Sequence, residues 1–161
     1  MIPEKSSLNT LLDRLQSDDP QARASAAWTL GSVKDRQAVD SLIWTLADRD
    51  AKVRGLAAEA LGKIVDGRAS GPLIFALKDR DSEVRSKAAL ALAAIRETNA
   101  VDPLVAALKD EVPAVRANAA FALGELRDRR AVAALTVTLR DSDPMVRHNA
   151  EEAVRKLRGQ A

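Results

Sequence analysis

Arginine recurs in this sequence at positions 23, 54, 85, 116 and 147, always 31 residues apart, and aspartate keeps the same period at 48, 79, 110 and 141. Guanidinium and carboxylate in one rhythm admit two chemistries. In the first, a planar fork of N–H donors meets a carboxylate in a bidentate pair, once per repeat. In the second, the arginines form a ladder of positive charge for nucleic acid, which requires them to be free of internal partners. A periodic Asp series favours the first. Arg23, Arg54, Arg85, Arg116 and Arg147 are therefore read as structural staples between successive layers.

Other reactive groups are scarce. The sequence has no cysteine, which removes disulfides, thiolate metal sites and a cysteine nucleophile. His148 is the single histidine, and no His-Glu dipeptide occurs. There is no tyrosine, no G-x-S-x-G and no phosphate-cradling run among the seven glycines. The expectation is no catalytic residue, no metal and no cofactor.

The elements that carry these residues follow from the stretch Asp50 to Ile64, DAKVRGLAAEALGKI, versions of which return with the period of 31. On a helical wheel Val53, Ala57, Ala60, Leu61 and Ile64 fall on one stripe, the apolar face of an amphipathic helix. Asp50 stands where an N-cap belongs, and Asp19, Asp81 and Asp143 repeat it; Val112 breaks the series, leaving Pro113 to start that helix. A period of this length marks a solenoid, whose units bury their apolar faces only against neighbours. Each unit is predicted to be a helix pair, for example Arg36 to Ala47 followed by Ala51 to Ile64. The first helix begins near Ser6 or Ser7 and carries Leu8, Leu11, Leu12 and Leu15. At the third junction, where neighbouring units have Asp in place of Glu97, Thr98 is expected to take over the cap. A single domain over 1–161 results, with repeats at about 1–35, 36–66, 67–97, 98–128 and 129–161. Glu151 and Arg155 replace the small residues of earlier units, so the stack is expected to end at the last helix.

Candidate binding residues lie opposite the core stripe of the second helices. Five residues after each periodic arginine the sequence reads Trp28, Glu59, Leu90, Phe121, Glu152, with three apolar residues on a face that should be polar. Ser25, Leu56, Lys87, Asn118 and Asn149 flank that column one turn earlier, with His148 on the same variable face beside Asn149. On this face Lys52, Lys63, Lys87 and Lys156 are matched by Glu59, Glu83, Glu125 and Glu152, so no basic surface for phosphates is expected. On the first helices Trp44 and Phe75 lie one period apart, followed by Ala106 and Val137. They either pack on each other across adjacent layers or form a convex contact for self-association.

Composition agrees with closely packed helices. Apolar residues make up 47% but aromatics only 2%, so small side chains dominate the interior, while 30% are charged with a formal net charge of +2. No apolar run reaches a membrane span, and the first residues lack a secretory core, so a cytoplasmic protein without membrane contact is expected.

The run V-R-x-x-A-A-x-A-L-G-x-I followed by D-x-R-A-x-x-x-L-x-x-A-L-x-D, from Val53 to Asp79, resembles the short HEAT repeats known as phycobilisome-lyase-like, and the resemblance covers essentially the whole chain. It implies an all-α, right-handed α-α superhelix of five helix pairs, about ten helices. It also implies first helices on the convex side and second helices lining the concave side. Such repeats occur in bilin-lyase subunits, in hydroxylases and in interaction proteins. With one histidine and no His-Glu dipeptide, the di-iron site of those hydroxylases is not expected here. The expected function is a non-catalytic scaffold that binds a protein or peptide on the concave face. The alternative is a phycobilin lyase or lyase-accessory subunit acting on phycobiliproteins, with nucleic-acid binding ranked last. The chain itself is expected to be a monomer or a weak homodimer.

Overall fold

The computed structural model describes residues 7–159, and among them the secondary structure is helical throughout. In chain order the helices are α1 Leu8–Arg14, α2 Pro20–Val33, α3 Val39–Thr45, α4 Ala51–Ile64, α5 Ser70–Ala76, α6 Ser82–Ile95, α7 Val101–Ala107, α8 Pro113–Leu126, α9 Val132–Thr138 and α10 Pro144–Arg158. Odd-numbered helices are short and even-numbered ones long. Each pair packs antiparallel, and pairs stack on one another as a solenoid. Residues 1–6 and 160–161, which the sequence places in the first and last repeats, lie outside the described residues, and so does Ser6 as a possible helix start; Ser7 caps α1.

The long helices begin where their carboxylates dictate. Asp50 Oδ1 accepts the Val53 amide at 3.1 Å, Asp19 accepts from Gln21, and Asp81 and Asp143 each accept from two amides of the first turn. Such a cap satisfies donors that the first turn leaves without partners. Val112 offers no side chain, and α8 starts on Pro113 instead.

The first helices differ from expectation at their entry. The predicted helix Arg36 to Ala47 is a 3₁₀ turn, Arg36–Ala38, followed by a seven-residue α3. Asp35 causes this: its side chain accepts the Gln37 amide at 2.9 Å and its carbonyl the Ala38 amide at 3.1 Å, closing an i+3 turn before the i+4 pattern can start. Asp66 and Asp128 repeat the device. At the third junction the cap is Glu97, which accepts from the Asn99 amide at 2.9 Å. Thr98 does not take over, because the extra methylene of Glu still reaches the same amide.

Layers are joined at the turn between short and long helix. Arg54 Nε and Nη2 donate to both carboxylate oxygens of Asp79 at 2.8 Å, while Nη1 donates to the Asp48 carbonyl at 2.9 Å in its own turn. Arg23 with Asp48, Arg85 with Asp110 and Arg116 with Asp141 repeat the fork. Each Asp also accepts an amide of its own turn, as Asp79 does from Asp81 at 2.9 Å. Arg147, among the described residues, makes only the carbonyl bonds, to Asp141 and Ser142.

The core is aliphatic, with Leu30, Leu61, Leu92 and Leu123 of the long helices and Leu42, Leu73, Leu104 and Leu135 of the short ones fully buried. Long helices of neighbouring layers nearly touch. A Cβ on Gly31 would lie 2.7 Å from Ala60 Cα, and one on Gly62 2.8 Å from Ala91 Cα, closer than real atoms approach. Short helices of neighbouring layers are held further apart. A stack tight on one side and open on the other curves, so α2, α4, α6, α8 and α10 line its concave side.

Each of the first four long helices ends on a residue in the left-handed region, Lys34, Val65, Arg96 and Arg127, with φ of 55–59°. Val65 is β-branched and half exposed, so it suffers steric crowding there without compensating burial. Val65→Gly is expected to raise stability by about 1 kcal/mol, read from the denaturant midpoint at unchanged slope.

The Arg–Asp pairs predict a second outcome. Both partners are largely shielded from water, and Arg85→Ala strands the Asp110 carboxylate, so a loss of about 3 kcal/mol is expected in urea unfolding. Burial pushes the carboxyls of Asp79 and Asp110 up, but the forked bonds from Arg54 and Arg85 and the turn amides outweigh it and hold both below the ordinary 3.8. A lowered folded pKa gives stability that is complete above 3.8 and is lost as pH falls through the folded value. Melting temperature should therefore drop below about pH 3.8, and less steeply in Asp110→Asn, which is weaker already at pH 7.

Candidate functional site

The concave side exposes the helix faces that the core does not use. Trp28 on α2, Leu90 on α6 and Phe121 on α8 are 54%, 39% and 41% exposed, at equivalent positions of their helices. Glu59 on α4 and Glu152 on α10 occupy the same column in the intervening and last layers. All five residues read from the sequence as one column do lie along one face. Leu90 and Phe121 are in adjacent layers, about 8–10 Å apart for packed helices, and Trp28 stands beyond Glu59.

The flanking residues do different things. Ser25, Lys87 and Asn118 are half-buried and His148 is exposed. Asn118 Nδ2 donates to Ser86 on α6, and Asn149 Nδ2 donates to the Ala117 carbonyl at 2.9 Å, so both amides tie neighbouring long helices together. Leu56 packs partly against the core and is less available than its column position suggests. His148 lines a shallow hollow with Phe121, Asn149, Glu152 and Lys156. Among the described residues no three carboxylate or imidazole groups converge where they could hold a metal ion.

Apart from the exposed Lys52, which makes no ion pair among the described residues, the charges of this face are spent on one another. Glu59 takes Lys63 at 2.6 Å and Lys87 at 3.3 Å, and Lys87 takes Glu83 at 3.0 Å. Lys156 pairs with Glu125 across the layer and lies 5.6 Å over the Phe121 ring, and Arg155 pairs with Glu152. The Lys63 hydrogen bond, against burial and with help from Lys87, holds the Glu59 carboxyl below its usual range. Burial lowers the Lys87 ammonium, but Glu83 and Glu59 outweigh it and raise it. The sequence count treats these residues as balanced; Lys52 stays unpaired among the described residues, Glu152 takes Arg155 from outside the count, and the Lys87–Glu59 and Lys156–Glu125 pairs depend on side chains from different layers meeting at equal height. The hollows beside Leu90 and Phe121 are about 290 and 250 Å³, below the range of about 300–1,000 Å³ that encloses a small molecule.

On the convex side Trp44 and Phe75 are 79% and 80% exposed, so they do not bury each other, and the packing reading for them is excluded. Two grooves flank Phe75. One, between α3 and α5, includes Ile43, Leu46 and Pro72; the other, between α5 and α7, includes Ile74, Pro103 and Ala106. The sequence reading missed these grooves. Pro72 and Pro103, one period apart in the first turns of α5 and α7, were the available signal.

No curated protein sequence matches the chain. Among solved structures it is similar to a chain in the complex of CpcE and CpcF of phycocyanin lyase from Nostoc sp. PCC7120, with TM-score 0.87 and 28% identity over 96% of this chain and 66% of that one. It spans just under two thirds of that relative. An engineered protein matches with TM-score 0.73 and 25% identity over 94% and 79% of the two chains. A designed armadillo repeat protein in complex with the peptide (KR)4 matches with TM-score 0.70 and 20% identity over 94% and 82%, a likeness of fold alone. Among the described residues no helix is long and apolar enough to cross a membrane. A sequence model of HEAT repeats matches residues 8–73, 42–112 and 70–155, and the chain belongs to that family.

Proposed function

We propose that this chain is a non-catalytic interaction scaffold that holds a protein or peptide partner on the concave face of α2, α4, α6, α8 and α10. The observation that carries the reading is the half-open apolar row Trp28, Leu90 and Phe121 on a face where Lys63, Lys87 and Lys156 are already paired with glutamates. Apolar side chains left open in a row gain from being covered, at roughly 150–250 Å² for a buried aromatic. Paired lysines do not gain from meeting phosphates, because each new contact would first break an internal ion pair; this ranks nucleic acid last. Asn118 and Lys87 stand at the rim, where they set register.

A photo-crosslinking residue in place of Leu90 tests the face directly, since a concave partner is captured there and not from a control position at Thr136 on the convex side. Trp28→Ser and Phe121→Ser should each weaken binding of that partner by about 2 kcal/mol, near 30-fold. Both side chains are half open, so melting should fall by only a few degrees. Variants that bind as the wild type does would remove the concave reading.

A second reading, a phycobilin lyase or lyase-accessory subunit acting on phycobiliproteins, is favoured by the similarity to a chain of the phycocyanin lyase complex. Under this reading the concave partner is a phycobiliprotein or a second lyase chain. Incubating the chain, with and without such a second chain, with a bilin and a phycobiliprotein lacking its pigment tests it. Visible absorbance that stays with the phycobiliprotein after denaturation supports the lyase reading, and absorbance lost on denaturation in both mixtures rejects it.

A further inference from the structure

The short helices carry a surface unlike that of the long ones. The groove between α3 and α5 holds about 590 Å³ and the groove between α5 and α7 about 570 Å³, twice the hollows of the concave side, and the exposed Phe75 ring stands between them. Their walls are aliphatic. Ile43, Leu46 and Pro72 line the first, and Ile74, Leu77 and Pro103 the second, so both gain from being filled by apolar side chains.

The uncommitted charges at these grooves are of one sign. Asp48, Asp79 and Asp110 reach them, but each is closed in its fork with Arg23, Arg54 or Arg85. Arg49 and Arg80 in the first groove and Lys78 and Lys109 in the second are exposed, and among the described residues none of the four makes an ion pair. All four lie in the turns that follow α3, α5 and α7, and so form a positive rail along one side of the furrows. The other carboxylates nearby are committed or lie beyond it. Asp40 and Asp102, at the opposite ends of α3 and α7, face Arg68 and Arg130; Asp50 and Asp81 cap the long helices; Glu111, past Lys109, lies 3.8 Å from Arg85.

We propose that these grooves receive an acidic amphipathic helix of a partner protein, laid across α3, α5 and α7 with one apolar side chain in each groove and its carboxylates along the rail of Arg49, Arg80, Lys78 and Lys109. Spacing selects a helix. Neighbouring layers are about 10 Å apart, and a helix rising about 1.5 Å per residue presents the side chains at i and i+7 on one face about 10.5 Å apart. In an extended strand the residues of one face recur at about 6.6 and 13 Å, and neither distance matches. The turn between the two anchors then rests on the Phe75 ring. Single-stranded nucleic acid also suits cations beside an aromatic ring, but its phosphates and base edges leave the aliphatic walls uncovered. This inference does not depend on the concave reading.

A library of random peptides of about 16 residues, long enough as a helix to cross three layers, is selected on the immobilised wild-type chain and in parallel on Phe75→Ser. Phe75 is 80% exposed, so this variant should keep the helical circular dichroism and melting of the wild type. Peptides that both chains retain, including any on the concave side, do not count. Those that the wild type retains and Phe75→Ser loses should be acidic, with apolar residues at i and i+7. A synthetic peptide from that set should bind a Lys78→Glu, Lys109→Glu double variant at least about 10-fold more weakly, and should bind the wild type more weakly as salt rises from about 50 to 500 mM. The double variant alters no packed side chain and reads the same site even if Phe75→Ser fails to fold. Four outcomes overturn the proposal: no Phe75-dependent peptide, Phe75-dependent peptides that are neutral or basic, binding that survives charge reversal, or a Phe75-dependent dimer of the chain in sedimentation. A labelled oligouridine strand that binds through Phe75 where acidic peptides do not overturns it as well.

Discussion

The fork between an arginine of one layer and an aspartate of the next is the contact on which the stack depends. Its two halves do different work. Nη1 of Arg54 closes its own turn through the Asp48 and Arg49 carbonyls, and Nε and Nη2 reach the Asp79 carboxylate of the following layer. That carboxylate in turn caps the Asp81 amide. Turn, arginine and next turn thus form one continuous chain of charge-assisted bonds, and a shift of one layer along its neighbour breaks several at once. Aliphatic side chains alone would not fix the register, because leucine and alanine faces slide with little change in buried area.

With register fixed at the turns, the spacing of the two helix rows is decided by side-chain size. Glycine facing alanine lets α2 approach α4, and α4 approach α6, to contact of backbones; Gly124 facing Ala153 does the same for α8 and α10. Ala93 holds the equivalent place in α6 and keeps the Cβ the glycines lack, and α6 and α8 meet somewhat less closely. The short helices have no such contacts, so grooves open between them, and the faces acquire opposite textures. The inner one is tightly laid and salt-bridged between layers. The outer one is furrowed, with Trp44, Phe75 and Val137 standing clear of it.

How much of this the sequence displayed depended on whether one residue or several decided the outcome. The bounds of α4 were legible because Asp50, one stripe of apolar residues and the period all agree. The Arg–Asp pairing was legible because both partners recur with one period. The entry to α3 was not, since an aspartate that caps a helix and one that closes a 3₁₀ turn are the same letter; the difference lies in which carbonyl takes the third amide. Glu97 was misread through composition, where reach was the relevant property. The left-handed helix ends were invisible for another reason. Lys34, Val65, Arg96 and Arg127 are not glycine, and the stack imposes the conformation upon them.

The candidate site was legible as a row of residue types and not as an electrostatic surface. Counting charges gives a balanced face, which is equally compatible with free ions of both signs and with closed pairs. These two surfaces differ in what they can bind. Free ions invite a complementary charged partner, while pairs such as Lys63–Glu59–Lys87–Glu83 resist one, because breaking them returns little in exchange. Selectivity on such a face must come from shape. Trp28, Leu90 and Phe121 supply the shape, and Lys156 lies over the Phe121 ring. Glu59 interrupts the row between Trp28 and Leu90, so an occupant that covers the whole row must bring a polar group to the layer of α4 while presenting apolar groups to α2, α6 and α8.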